Sequence, residues 1–161
     1  MRTGFIRSLV KKVLSDSGIA SPPILVKDVA EAQGFDLIYY PFPEEVSAVV
    51  IKDEKLFAIG VNQNHHPNRQ RFSIAHELGH YLLDHKQDLF VKISNLDFVE
   101  KKDDSNKLIE NEANQFASEL LIPIDMIKND FAKDDNVQML AKQYKVSEQA
   151  MFIRLMNLKL I

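Results

Sequence analysis

Cysteine is absent from this chain of 161 residues. The absence excludes a disulfide framework, a thiolate zinc site and a cysteine nucleophile, and it suits a reducing compartment. An excess of positive charge is also lacking, the formal net charge being −3. Such a balance gives no electrostatic footprint for non-specific nucleic-acid binding. No apolar run approaches the ~20 residues that cross a bilayer. At the N-terminus, Phe5, Ile6, Leu9, Val10, Val13 and Leu14 recur at helical spacing, but Arg7, Lys11 and Lys12 interrupt them. That pattern predicts an amphipathic helix and lacks the unbroken apolar stretch of a signal peptide. A cytoplasmic location with no membrane partner is the expectation. Internal repeats and long linkers are missing too, so residues 1–161 read as a single domain, long enough to bury a core.

Glycine and proline punctuate the chain into three stretches. Residues 1–34 read as two helices, the first closing near Gly18 and the second, Leu25 to Gln33, at Gly34. Residues 35–123 hold the β-rich runs Phe35–Tyr40, Val46–Lys52 and Lys55–Val61, then two long helical segments, His65–His85 and Lys107–Ile122. Three short consecutive strands predict a small antiparallel sheet. Lys86 to Lys107 is polar and charged and reads as an exposed loop, with a short strand at Leu89–Ile93. Residues 124–161 read as short helices around Asp125–Phe131, Val137–Tyr144 and Glu148–Leu158. The class is α+β.

Within the first long helical segment stands His76-Glu77-Leu78-Gly79-His80, an H-E-x-x-H motif. Residues four apart share a helix face. His76 and His80 can therefore present two imidazole nitrogens to one zinc ion, and Glu77 can reach a water at that ion. At roughly 100° per residue, Phe72, Ala75, Leu78, Gly79, Leu82 and Leu83 form an apolar arc with both histidines at one edge. Glu77 lies further round, toward solvent or a cleft. Gly79 falls inside the arc. Glycine costs roughly 1 kcal/mol against alanine in a helix, so a neighbouring element is expected to come close there. Two histidines beside a core can be ordinary polar residues; the glutamate between them at this spacing favours the metal reading.

A catalytic zinc needs a third protein ligand and an open position. Glu110 and Glu112, on the second long helix, are the candidates. That helix buries Ala113, Phe116, Ala117, Leu120 and Leu121. Rotation puts Glu110 at the edge of this arc and Glu112 well away from it. Glu110 is the chosen ligand, Glu112 the alternative, and a solvated helix glutamate the bland reading. Asn114, four residues after Glu110, is placed to hydrogen-bond a ligand histidine. A His/His/Glu set suits Zn2+ and tolerates Mn2+. Glu77 is then the general base, taking a proton from water as it attacks a peptide carbonyl and delivering it to the leaving amine. His85, His65, His66 and Tyr144 are candidate oxyanion donors.

Leu140 to Ala150 has the look of a helix-turn-helix. Against DNA contact, Glu148 would repel phosphate at the start of its second helix. Phe152, Ile153, Leu155 and Met156 ask for burial, and Lys142, Lys145, Arg154 and Lys159 make a sparse basic face. The segment is read as a packing or partner-docking element, and the Phe and Met residues near the C-terminus as core.

Two blocks carry a family resemblance. One is Arg71-Phe72-Ser73-Ile74-Ala75, running through the motif to Tyr81-Leu82-Leu83. The other is Glu110-x-x-Ala113-x-x-Phe116-Ala117, ending in Leu120-Leu121-Ile122-Pro123. Together they resemble the ImmA/IrrE family of metallopeptidases. The resemblance implies a zincin-type helical core, zinc on His76, His80 and Glu110, and Glu77 as general base. It implies a protease of bacteria, phages or mobile elements that cuts a helix-turn-helix repressor, here a separate polypeptide, and so relieves repression. Members often have a histidine directly after the Leu-Leu that ends the motif helix; here Asp84 intervenes before His85. The rival readings are a non-proteolytic antirepressor or antitoxin-like binding module, and a DNA-binding regulator built on the C-terminal helices.

Overall fold

The structure, a computed structural model, describes residues 2–52, 54–85 and 104–161, with backbone alone for 104–106. Its elements are α1 (Thr3–Asp16), α2 (Val26–Ala32), β1 (Asp36–Tyr40), β2 (Ala48–Lys52), β3 (Phe57–Asn62), α3 (Pro67–Leu82), α4 (Asp104–Leu121), α5 (Ile124–Phe131), α6 (Val137–Tyr144) and α7 (Glu148–Asn157). The class is α+β, as expected. The strand expected at Leu89–Ile93 lies outside the described residues. The loop expected up to Lys107 gives way to helix from Asp104.

The sheet has three strands but is mixed. Its order is β1-β3-β2, with β2 antiparallel to β3 and β1 parallel to it. The expected antiparallel sheet fails at β1 because the chain from β1 to β2 crosses over the end of β3. Asn62 at that end is fully buried. Its side-chain amide donates to the carbonyls of Phe42, Pro43 and Val46 at 3.1, 3.1 and 2.8 Å, pinning the crossover. The looped-back Phe42 packs on Gly60 of β3, where a Cβ would meet its ring at 3.0 Å. Gly60 is therefore required by close approach, and β3, buried along nearly its whole length, takes the centre.

Helix boundaries follow the chain's own signals. Gly18 and Gly34 adopt φ of 68° and 88° just past α1 and α2, the left-handed closure that glycine permits. Pro67 opens α3, and the His66 imidazole caps it by accepting from Asn68 N–H at 3.1 Å. The core gathers Ile6, Val10 and Val13 of α1, Val29 of α2, Ile59 and Val61 of β3, and Ile74 and Leu78 of α3. Phe116 and Leu120 of α4 complete its centre. Phe5, expected on the buried stripe of α1, is instead about half exposed beneath the Arg2 guanidinium.

At the C-terminus, α6 and α7 form the expected helix pair, joined by Lys145 in the left-handed region and capped by Ser147. Two expectations there are corrected. Phe152, Ile153, Met156 and Met139 are about half exposed, while Met151 and Leu155 carry the packing. Arg154, read as part of a basic face, is buried. It donates to the Ile122 carbonyl and pairs with the Glu119 carboxylate, which also accepts from Ile124 N–H at the start of α5. Among the described residues, no helix is long and apolar enough to cross a membrane.

Candidate metal centre

The site is made where α3 crosses α4. Gly79 sets the separation: a Cβ there would lie 3.1 Å from Phe116 Cβ and 3.2 Å from the Ala113 backbone. The close element anticipated at Gly79 is thus α4. At this separation His76 and His80, one turn apart on α3, meet Glu110 on α4. His76 Nε2 is 3.2 Å from Glu110 Oε2, and His80 Nε2 is 3.1 Å from Glu110 Oε1. The two Nε2 atoms are 2.9 Å apart. These three residues form the one cluster among the described residues whose ligand atoms could hold a metal ion.

The outer ring nitrogens decide which tautomers are present. His76 Nδ1 lies 2.9 Å from Asn114 Oδ1, so it carries the proton and donates. His80 Nδ1 lies 3.0 Å from His85 Nδ1, and His85 Nε2 lies 3.4 Å from Glu112 Oε2. The carboxylate takes the His85 Nε2–H, which leaves His85 Nδ1 to accept from His80. Both Nε2 atoms then turn bare lone pairs inward, toward each other and toward a carboxylate. Four acceptor atoms facing one another repel unless a cation sits among them. Ligand atoms held at ~2.0–2.1 Å by a tetrahedral ion lie roughly 3.3 Å apart, close to the spacings observed. The donor set therefore fits a zinc-like ion.

Where ring protons rather than an ion lie among the four atoms, the hydrogen bonds that His76 and His80 then give Glu110 hold its carboxyl well below the usual carboxylate range. Burial lowers His76, but the Glu110 hydrogen bond and the charges of Glu77 and Glu110 outweigh it and raise the ring overall. Glu77 is half-buried; burial pushes its carboxyl up to about 7, the His76 charge opposing the rise and the Glu110 charge adding to it.

Several residues stand where rotation did not put them. Glu112, read as pointing well away from the buried arc of α4, is itself buried. Arg2 at the head of α1 covers it, with Nη2 at 2.7 Å from Oε2 and its backbone N–H at 3.1 Å from Oε1. Glu112 is no direct neighbour of the two ring nitrogens that face Glu110. Its link to the cluster runs through His85. Asp84, with φ of 54°, ends α3 in the left-handed region. His85 N–H returns to the His80 carbonyl and Asp84 N–H to that of Tyr81, a Schellman closure. The extra residue before His85 thus folds its ring back behind His80. Burial lowers the His85 ring, which keeps it neutral and able to accept.

None of the four expected oxyanion donors faces the cluster. His85 is engaged behind His80. His65 is buried with Nε2 at 3.1 Å from the Glu44 carbonyl, His66 caps α3, and Tyr144 donates to Asp130 at 2.8 Å. Arg2 was missed altogether, and no local signal marks a partner 110 residues from Glu112.

A family model described as the IrrE N-terminal-like domain, peptidase M78, matches residues 30–156. The chain belongs to that family. The match includes the motif helix and the whole of α4. Among curated proteins no significant match is found. A solved Mycobacterium tuberculosis transcriptional regulator shares the fold, with a TM-score of 0.68 at 14% identity. The superposition covers 94% of this chain and 46% of that one, so the chain spans about half the length of that regulator.

Proposed function

We propose that this protein is a zinc-dependent endopeptidase that cuts a separate helix-turn-helix repressor in the cytoplasm, relieving repression in a bacterial, phage or mobile-element circuit. One observation carries the reading: two imidazole nitrogens and a carboxylate converge with their lone pairs inward, with Glu77 beside them in the sequence. His76, His80 and Glu110 would hold the ion, and Asn114 orients the His76 ring. A bound zinc ion supplies Lewis-acid chemistry, acidifying water and polarising a carbonyl. Glu77 takes the proton of the attacking water and passes it to the leaving amine. Similarity of fold to a transcriptional regulator is consistent with a regulatory setting.

The test uses zinc-loaded protein and any helix-turn-helix repressor encoded beside its gene. The Glu77→Gln variant should retain zinc and lose cleavage by several orders of magnitude. Undiminished cleavage by that variant would remove Glu77 from the chemistry. Relief of repression by the uncleaving variant would instead favour a non-proteolytic antirepressor.

A further inference from the structure

Between the first half of α3, the end of α4 and the α6–α7 pair lies a groove of about 790 Å³. Phe72, Leu121, Ile122, Ala141, Val146 and Ala150 make an apolar floor, each buried or half-buried. Arg69, Lys142, Lys145 and Glu148 stand exposed at its mouth. Arg69 is already paired with Glu44 at 3.2 Å, and Glu148 accepts from Gln138 at 3.4 Å. Lys142 and Lys145 face no carboxylate partner among the described residues, leaving the mouth with free positive charge.

The groove continues the metal centre. α3 and α4 run antiparallel past each other, so His80 and His76 meet Glu110, and His76 then meets Asn114. One more turn, about 5.4 Å along each axis, brings Phe72 on α3 and Ser118 on α4. Both line the groove. The Phe72 and His76 rings are 6.3 Å apart. An extended peptide advances ~3.3 Å per residue. A chain whose carbonyl sits at the cluster therefore reaches the groove one or two residues away.

Two arginines brace its walls. Arg71 donates to the carbonyls of Lys145 and Tyr144 at 3.1 and 3.3 Å, fixing the end of α6 to α3. Arg154 donates to the Ile122 carbonyl at 3.1 Å and pairs with Glu119, fixing α7 to α4. The walls of the groove are therefore held in place by the chain's own hydrogen bonds. A preformed apolar pocket with few polar groups at its edge suits a ligand whose side chains, not backbone charge, carry recognition.

We propose that this groove selects the protein substrate. It takes a bulky aliphatic or aromatic side chain one or two residues from the cut bond, with an adjoining Asp or Glu held by Lys142 and Lys145. The assignment rests on the endopeptidase reading of the metal centre. Its volume exceeds one side chain, which leaves room for the acidic neighbour.

The test measures binding apart from cleavage. Fluorescein-labelled Gly/Ser peptides carrying a central Asp-Leu, Asp-Ala or Lys-Leu pair are titrated into zinc-loaded Glu77→Gln protein by anisotropy. Asp-Leu should bind about tenfold tighter than either other peptide, tenfold being ~1.4 kcal/mol. Adding Lys142→Glu and Lys145→Glu, both exposed, should invert the order of Asp-Leu and Lys-Leu. Ala150→Phe, which fills the floor, should abolish the Leu-over-Ala preference. Equal binding of Asp-Leu and Asp-Ala, absence of binding, or a charge preference unmoved by the lysine reversals would overturn the proposal. Cleavage by the wild type is read separately. Selective binding without any cleavage would remove the endopeptidase reading and leave the groove as a peptide site; cleavage without the Leu preference would do the reverse.

Discussion

α4 carries two buried carboxylates, each paired with an arginine distant in sequence, and they serve different ends. Glu119, near its C-terminus, binds Arg154 and caps the first amide of α5. That pair ends on backbone groups and ties helices together. Glu112, two turns earlier, binds Arg2, and the Oε2 that accepts from Arg2 also continues through His85 to the back of His80. The same ion-pair chemistry thus acts as a clamp in one place and as an orienting chain for a candidate metal ligand in the other. What separates them is what lies beyond the carboxylate: a helix end, or an imidazole touching a ligand. Glu110 makes the contrast sharper. Two residues from Glu112, it is half exposed and faces the cluster directly.

The comparison breaks most completely at the ligands. His80→Ala or Glu110→Ala should leave no stoichiometric zinc after gel filtration, by elemental analysis, whereas Glu112→Ala should still carry it. The opposite pattern would exchange the roles of the two glutamates. The clamp comes next. Glu119→Ala strands a buried guanidinium and should cost about 3–5 kcal/mol in urea unfolding, with zinc affinity unmoved. A matching fall in zinc affinity would mean the two ends of α4 are not independent.

The orienting chain should show the reverse balance. Glu112→Gln should weaken zinc about 10–100-fold in competition with a chromophoric chelator. Its effect on unfolding should be smaller than that of Glu119→Ala, because Arg2 is 49% exposed and water screens its pair. Gly79→Ala is smaller again. Helix propensity returns up to ~1 kcal/mol against an overpacking cost of about 1–3 kcal/mol. Zinc affinity should fall with it if α4 is pushed away from α3. The smallest effect is on acid stability. The Arg2 hydrogen bonds hold the Glu112 carboxyl at about 2, below its ordinary 4.5, against the opposing pull of burial. The pair's contribution is then complete above pH about 4.5 and is lost as pH falls toward 2. Glu112→Gln should flatten that part of the stability profile.

Much of this was legible along the chain. His76, Glu77 and His80 lie within one turn and a half of one helix, so their relation depends on helical pitch alone. Glu110 and Asn114 were readable because one apolar arc, facing α3, orients them. Glu112 lies away from that arc yet is buried: α4 has a second neighbour, α1, whose head covers the face turned away from α3. The half-exposed Phe152 and Met156 mark the opposite error, apolar residues assumed buried where no described element covers them.

Local spacing within the helices determined the motif, the caps at Gly18 and Gly34, and the candidate ligands, because each depends on backbone geometry a few residues long. Tertiary structure decided what depended on crossings. It placed β3 between its neighbours through Asn62, turned His85 back through a left-handed Asp84, and set Arg2 over Glu112. It also opened a groove one turn beyond the cluster. In all but His85 the partners are distant in the chain, and no periodicity records which of them will meet; for His85 the deciding fact is one residue's φ, to which a helical count is blind.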